Sequence, residues 1–183
     1  AKRRPCLSCL SSVECYDPGS GSWVPLPPMT EGRSGAASAL LHRSLCICGG
    51  KVDSTRCSAG VERYDPAAGA WEALPSMPGR ISHAAAAAVS GRLYVCGGFD
   101  GLQYLASAVR FDSAAGVWEP ISGMCERRSH AVAASIAGEL WVCGGKREGT
   151  ERLSSVECFD PSTGLWRPLP PMLERRSQVC GIC

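Results

Sequence analysis

The chain has 183 residues, of which 19 are lysine or arginine and 17 are aspartate or glutamate, giving a net charge of +2. Because this charge is small, it provides no strong field for nucleic acid or an anionic membrane, and we expect neither as a partner. The longest apolar run, residues 84–89, is far shorter than the roughly 18 residues of a membrane helix. No apolar segment follows the basic N-terminus as in an export signal, so we expect a cytoplasmic protein.

The first 29 residues predict a partial structural unit. The triplet Tyr-Asp-Pro at residues 16–18 and the following Gly21 are typical of a turn, in which glycine supplies a positive φ. Trp23 comes directly after this turn. We expect one strand on each side of it within residues 11–29, so that the segment forms a hairpin.

Residues 30–77 predict a complete unit of four strands. A strand of small residues comes first, and a second, apolar strand ends in Gly49-Gly50. A third strand leads into another Tyr-Asp-Pro turn at residues 64–66, and the fourth carries Trp71. The N-terminal segment has only the last two of these landmarks, so the chain opens inside a repeat.

The same unit recurs in residues 78–124 and 125–172, and residues 173–183 begin another. The tryptophans that mark the repeat are separated by 48, 47 and 48 residues. Alanines at residues 84–89 form the small-residue strand of one unit, since the run is short and its counterpart at 131–136 carries β-branched residues. One unit has Asp-Ser in place of Asp-Pro, which we expect only to loosen a turn.

Four antiparallel strands per repeat are typical of a blade of a β-propeller. A single blade cannot bury both faces, so neighbouring blades must stack, with the recurring tryptophans as core residues between them. The predicted fold class is therefore all-β, an incomplete propeller of about three whole four-stranded blades with partial blades at both ends, covering residues 1–183. A closed ring of four blades is the alternative, but its composite blade would lack the strand that ends in Gly-Gly.

The succession of Gly-Gly, Tyr-Asp-Pro, tryptophan, methionine and an Arg-Ser step resembles the Kelch repeat. The stretches at residues 97–101 and 153–161 are similar to the Kelch-like family of ubiquitin-ligase adaptors. Members of that family carry BTB and BACK domains before the propeller, and these domains contact the cullin. Neither domain is present in this sequence, so we expect a fragment or a shortened product that could reach a cullin only through the missing domains.

The resemblance also implies where a partner would bind. In Kelch-like adaptors a peptide lies over the mouth formed by the link after Gly-Gly and the link from the methionine strand into the small-residue strand. The candidate partner-binding residues in these two links are Ser34, Lys51, Arg80, Ser82, His83, Phe99, Arg128, Ser129, His130, Lys146, Ser177 and Gln178.

Basic, imidazole and hydroxyl groups around one mouth favour an acidic peptide, because guanidinium groups grip carboxylates with charge-assisted hydrogen bonds. A feature present in every repeat is more often structural than specific, however. The arginines could therefore be framework residues bonded to neighbouring backbone, and for serine and histidine both interpretations stay open. Glu14, Glu62 and Glu157 precede the aromatic-Asp turns, and for these we expect a framework role.

No cofactor or metal is expected. Cys6 and Cys9, together with Cys180 and Cys183, have the spacing of a zinc site, but Cys180 falls in strand register and the pairing looks accidental. Most other cysteines recur at repeat positions, as small buried residues would. No nucleophile is accompanied by a base, and no phosphate-binding or dinucleotide motif occurs, so we do not expect an enzyme.

Two functions follow from the resemblance. The first is the substrate-recognition part of a cullin-RING ubiquitin-ligase adaptor, and the second is a structural Kelch protein that binds actin or another cytoskeletal partner. Catalysis by analogy with the fold is a third hypothesis, but a fold does not carry chemistry with it.

Overall fold

A computed structural model describes residues 9–148 and 151–178, and all fourteen regular elements in these residues are five-residue strands. No helix in this part of the chain is long and apolar enough to cross a membrane. In chain order the strands are β1 Val13–Asp17, β2 Ser22–Leu26, β3 Ala37–Leu41, β4 Ser44–Cys48, β5 Val61–Asp65, β6 Ala70–Leu74, β7 Ala85–Val89, β8 Arg92–Cys96, β9 Ala108–Asp112, β10 Val117–Ile121, β11 Val132–Ile136, β12 Glu139–Cys143, β13 Val156–Asp160 and β14 Leu165–Leu169.

The strands form three four-stranded antiparallel sheets and one two-stranded sheet. Strands β3–β6, β7–β10 and β11–β14 each form a sheet in chain order, and β1 pairs with β2. In all four sheets the strand that carries the tryptophan pairs in the same register with the strand before it. An aromatic residue therefore faces each tryptophan, as in Tyr64 opposite Trp71. The prediction of an incomplete propeller with three whole blades is confirmed.

The turn before each tryptophan is held by an aspartate side chain. In the first complete blade Asp65 Oδ1 accepts the backbone N–H of Ala67, and Gly69 has a φ of 63°. The turn with serine in place of proline keeps the same bonds, since Asp112 accepts the N–H groups of Ala114 and Ala115. Aspartate therefore supplies the hydrogen bonds of this turn whether proline or serine follows it.

The alanine-rich segment is a strand, as its short length predicted. It forms β7, which packs between β3 and β11. These three are the first strands of their blades and the innermost of the arc. Small side chains on β7 let three backbones approach one another near the propeller axis, which a helix of the same composition could not do.

The tryptophans join each blade to the one before it. The indole Nε1 of Trp118 donates to the Pro75 carbonyl at 2.7 Å, and that of Trp71 donates to the Pro27 carbonyl at 2.8 Å. Trp166 makes the corresponding bond to a carbonyl in the blade before its own. Phe111 and its equivalents pack against these indoles in a tilted arrangement. Trp71, Trp118 and Trp166 are therefore structural residues between blades, as the sequence predicted. Trp23 was expected to have the same role, but it is 66% exposed.

Candidate functional site

A ladder of backbone hydrogen bonds crosses the propeller at one end of its inner strands. The N–H of His83 donates to the Gly35 carbonyl at 2.7 Å, the N–H of His130 to the His83 carbonyl at 2.8 Å, and the N–H of Gln178 to the His130 carbonyl at 2.9 Å. All four residues have φ between 54° and 62°. Gly35, His83 and His130 each lie just before the first strand of a complete blade, so equivalent positions of successive units meet here.

The links after Gly-Gly lie against the same ladder. Ser34 forms a backbone bridge with Lys51, Ser82 with Phe99, and Ser129 with Lys146. The two links that were predicted to form one mouth are therefore adjacent in every complete blade. We call the eight side chains gathered here the mouth cluster. They are Ser34, Lys51, Ser82, His83, Phe99, Ser129, His130 and Lys146.

The imidazole rings of His83 and His130 stack at the centre of this cluster, with centroids 4.0 Å apart and planes inclined by 20°. Each ring is anchored by the serine before it, since Ser82 Oγ lies 3.2 Å from His83 Nδ1 and Ser129 Oγ lies 2.9 Å from His130 Nδ1. On the other side of His83 the backbone of Gly35 touches the ring, and a Cβ at this position would collide with it. The stack is thus wedged between two blades, a contact that the sequence did not predict.

The electrostatics of the mouth cluster keep both imidazoles neutral. Burial lowers the pKa of His130 to about 4, and the neighbouring His83, Lys146 and Lys51 act in the same direction. The pKa of His83 is lowered by burial and by the same two lysines. At neutral pH the positive charge of the mouth therefore resides on the lysine ammonium groups. Lys51 also lies over the Phe99 ring, 5.9 Å from its centroid.

The low pKa of His130 makes stability depend on pH. In the unfolded chain the imidazole titrates near 6.5, so the unfolded state takes up the proton first as pH falls. The contribution of the neutral His130 to the free energy of unfolding is then fully present above about pH 6.5 and decreases toward pH 4. Because the imidazole is only half-buried and partly screened by solvent, we expect a loss on the order of 1–2 kcal/mol across this window. Urea denaturation at pH 7 and 4.5 measures it.

The His130→Gln variant is expected to lose this part of the pH dependence. Gln178→Ala, which alters another residue of the same ladder without removing a titrating group, is the control and retains it. If the free energy of unfolding of His130→Gln depends on pH as strongly as that of the parent chain, this imidazole does not titrate as the structure indicates.

Two of the repeat arginines are framework residues. The Arg128 side chain is fully buried, and its guanidinium donates to the carbonyls of Gly144 and Ser155 and to Glu157 Oε1, the last at 2.6 Å. Arg33 makes the same set of bonds in the first complete blade, with Glu62 as its carboxylate. Arg128 therefore offers no group to a partner at the surface, and the framework alternative holds for it.

Arg80 differs from these two arginines. The backbone bridges make Ser34, Ser82 and Ser129 equivalent, so the residue that corresponds to Arg33 and Arg128 is Ile81. Arg80 precedes it by one position and is exposed. Ser177 and Gln178 continue the series into the last described residues, and Gln178 joins the ladder.

The glutamates expected to be framework residues divide into two groups. Glu62 and Glu157 are buried and bind the arginines, whereas Glu14 is exposed. Burial acts to raise the pKa of Glu62, but hydrogen bonds from Thr30 and Arg33 outweigh it and leave the pKa below its ordinary value. A carboxylate held ionised in this way anchors the blade rather than transferring protons.

The cysteines at the repeat positions are mostly buried and protonated. Burial raises the pKa of the Cys48 and Cys96 thiols far above the ordinary value, and that of Cys158 to about 12. Cys6, Cys180 and Cys183 of the possible zinc site lie outside the described residues. Within residues 9–148 and 151–178 no group of three or more potential metal ligands occurs.

Comparisons with known proteins agree with this architecture. The family profile described as the KLHDC2/KLHL20/DRC7 Kelch-repeats domain matches residues 3–183. Among the solved structures, one described as "Structure of YjhT" superposes with a TM-score of 0.75 at 14% identity, over 87% of this chain and 52% of that one.

The chain thus spans about half the length of that solved structure, and at this identity the likeness concerns the fold alone. No curated protein sequence matches significantly. The resemblance to the Kelch repeat is confirmed over nearly the whole sequence. The chain belongs to the KLHDC2/KLHL20/DRC7 Kelch-repeats family.

Proposed function

We propose that this propeller is the recognition module of a cytoplasmic ubiquitin-ligase adaptor and that its mouth cluster binds an acidic peptide segment of a target protein. Membership in a Kelch-repeat family implies a protein-binding module. That the bound segment is an acidic peptide is the more specific part of the proposal. The observation that carries it is the pair of lysines, Lys51 and Lys146, beside two imidazoles that stay neutral at pH 7.

The chemistry of the mouth suits carboxylates in two ways. The lysine ammonium groups supply positive charge, and both act on the His83–His130 stack closely enough to lower the pKa of each imidazole. A bound carboxylate reverses this effect, because it stabilises the protonated imidazole. Each acidic side chain that docks can therefore recruit a further positive charge. Binding is then expected to tighten as pH falls from 8 to 5.5.

The ligase role rests on the resemblance to Kelch-like adaptors, in which recognition and cullin binding are separate. A propeller supplies a rigid scaffold, and its loops can vary to fit a target. In such an arrangement this chain would hold the target while BTB and BACK domains of a longer protein contact the cullin. Actin is the alternative partner, and co-sedimentation with filaments would detect it.

Reversing the charge of the mouth tests the peptide proposal. The probe is a fluorescein-labelled, capped peptide of alternating glutamate and glycine, with a glutamine version as the uncharged comparison. We expect the Lys51→Glu, Lys146→Glu double variant to bind the glutamate peptide at least about tenfold more weakly, since like charges then face each other. Fluorescence anisotropy gives the affinities.

The matched control reverses Arg43 and Arg92, which lie at the opposite end of the inner strands, and so changes the net charge equally. That variant should bind as the parent chain does. Equal weakening in both double variants would mean that net charge alone attracts the peptide, and the mouth would not be its site. Equal binding of the glutamine peptide would also contradict the proposal.

A further inference from the structure

The middle complete blade, β7–β10, contains a cavity of about 260 Å³. Its wall is apolar and consists mainly of Met77, Ile81, Val95, Leu105 and Val109. Met77, Ile81 and Val95 are buried in the core cluster shared with the first complete blade. The cavity therefore lies within the packed part of the propeller and is distinct from the mouth cluster.

The same position in the other two complete blades is filled by a buried ion pair. Ile81 corresponds to Arg33 and Arg128, as the bridges of the following serine show. Val109 corresponds to Glu62 and Glu157, because each is the second residue of its strand and pairs with the fourth residue of the strand before it. Two shorter apolar side chains thus replace an arginine and a glutamate.

The surroundings of the ion pair are replaced as well. In the other blades the backbone N–H groups of Thr30 and Cys125 donate to the buried glutamate. The residue at this position of the middle blade is Pro78, which has no N–H to donate. The next residue is glutamate in the other blades, where it contacts the arginine, and is Gly79 here. The middle blade therefore lacks the whole polar network. The space that the arginine and glutamate side chains fill in the other two blades is open here.

The rim of the cavity carries one cation with no internal partner. Arg80 lines the cavity, is exposed, and makes no ion pair with any residue in the described part of the chain. Asp100 also lies at the rim, but its Oδ1 accepts the N–H groups of Leu102 and Gln103 at 2.7 and 2.8 Å. The Asp100 carboxylate is thus held within its own loop, and the Arg80 guanidinium remains for an external anion.

The volume defines what can enter. It exceeds the roughly 150 Å³ of an apolar cavity that holds benzene, and it is below the roughly 300 Å³ at which sites for drug-sized molecules begin. We propose that the cavity binds one apolar side chain of a partner protein, of leucine or phenylalanine size, while a carboxylate beside it in the partner pairs with Arg80. This site uses residues other than the mouth cluster and does not depend on the function proposed for it.

Titration with a capped Gly-Gly-Phe-Asp-Gly-Gly peptide tests the site, with methyl NMR of Ile81, Val95, Leu105 and Val109 as the readout. We expect saturable shifts of these methyl groups. Alanine in place of the peptide's phenylalanine should weaken binding at least about tenfold, because the buried apolar area is lost. Asparagine in place of its aspartate should weaken binding about threefold, and this difference should vanish in the Arg80→Gln variant.

Two variants close the cavity in different ways. Ile81→Arg with Val109→Glu rebuilds the ion pair of the neighbouring blades, and Val109→Met fills the space with an apolar side chain. Either folded variant should lose the phenylalanine-dependent binding, whereas Lys51→Glu with Lys146→Glu should retain it. Absence of saturable methyl shifts, or undiminished binding in a folded, filled variant, would overturn the proposal. Loss of binding in the lysine variant would also overturn it, since the peptide would then occupy the mouth cluster.

Discussion

The Arg128→Ile variant is expected to have a free energy of unfolding about 3–5 kcal/mol lower than the parent chain, because it leaves the Glu157 carboxylate buried without its cation. The guanidinium also satisfies the carbonyls of Gly144 and Ser155, and both would lose a donor. Chemical denaturation monitored by tryptophan fluorescence measures the change. An effect this large would place Arg128 in the framework of its blade.

The chain supplies its own controls for this prediction. Arg175 forms an exposed ion pair with Glu151, and Arg175→Ala should cost less than about 1 kcal/mol. Adding Glu157→Val to Arg128→Ile recreates the isoleucine and valine of the middle blade and should recover much of the loss, since apolar side chains can replace a buried ion pair. A small effect of Arg128→Ile, or a double variant weaker than the single one, would contradict the assignment.

This result bears directly on the interpretation of the mouth. The arginine of the Arg-Ser step was one of the groups predicted to meet an acidic partner, together with the histidine two residues later. The structure separates them, since Arg128 points into its blade and His130 stacks on His83 across the blade boundary. Ser82 and Ser129 were also predicted to meet the partner, but each is only 1% exposed and its hydroxyl bonds the neighbouring imidazole. An acidic partner at the mouth would therefore contact the lysines and histidines. Replacing Arg128 would weaken binding only by destabilising the blade.

The features that were predicted correctly are those that recur at a fixed spacing along the sequence. Each blade repeats the same four strands, so Trp71, Trp118 and Trp166 could be placed in one register by their spacing alone. The alanine-rich strand β7 could be distinguished from a helix by comparison with its counterpart β11. Because neighbouring units are equivalent, residues of equal phase must lie at the same end of the propeller. The proposal that Lys51 and Lys146 lie at a partner-binding mouth came instead from the resemblance to Kelch-like adaptors.

What the sequence could not provide depends on how side chains fill space between blades. The stack of His83 on His130 requires the open backbone of Gly35, and no spacing rule relates these three residues. Arg80 was grouped with Arg128 because both come shortly before a serine in the same link. The step from Ser34 to Ser82 equals the tryptophan step of 48 residues, so the correct register was readable, and it places Ile81 in the arginine position.

The Trp118→Ala variant is expected to lower the free energy of unfolding by about 3 kcal/mol, because it removes a large side chain between two blades. The indole packs on Phe111 with centroids 5.1 Å apart, and its Nε1 donates to the Pro75 carbonyl of the preceding blade. Its loss should therefore weaken the contact between β3–β6 and β7–β10 more than it weakens either sheet. Hydrogen exchange measured by mass spectrometry can locate the change at that boundary.

Trp23 provides the matched control, because it has the same place in the two-stranded sheet β1–β2. Its ring centroid lies 5.6 Å from that of Tyr16, but 66% of the residue is exposed. Trp23→Ala should therefore cost about 1 kcal/mol or less. If the two variants lose equal stability, the indole would contribute through contacts within its own hairpin. If Trp118→Ala alone is severe, the contacts between blades hold the arc together, and each blade is stabilised mainly by its neighbours.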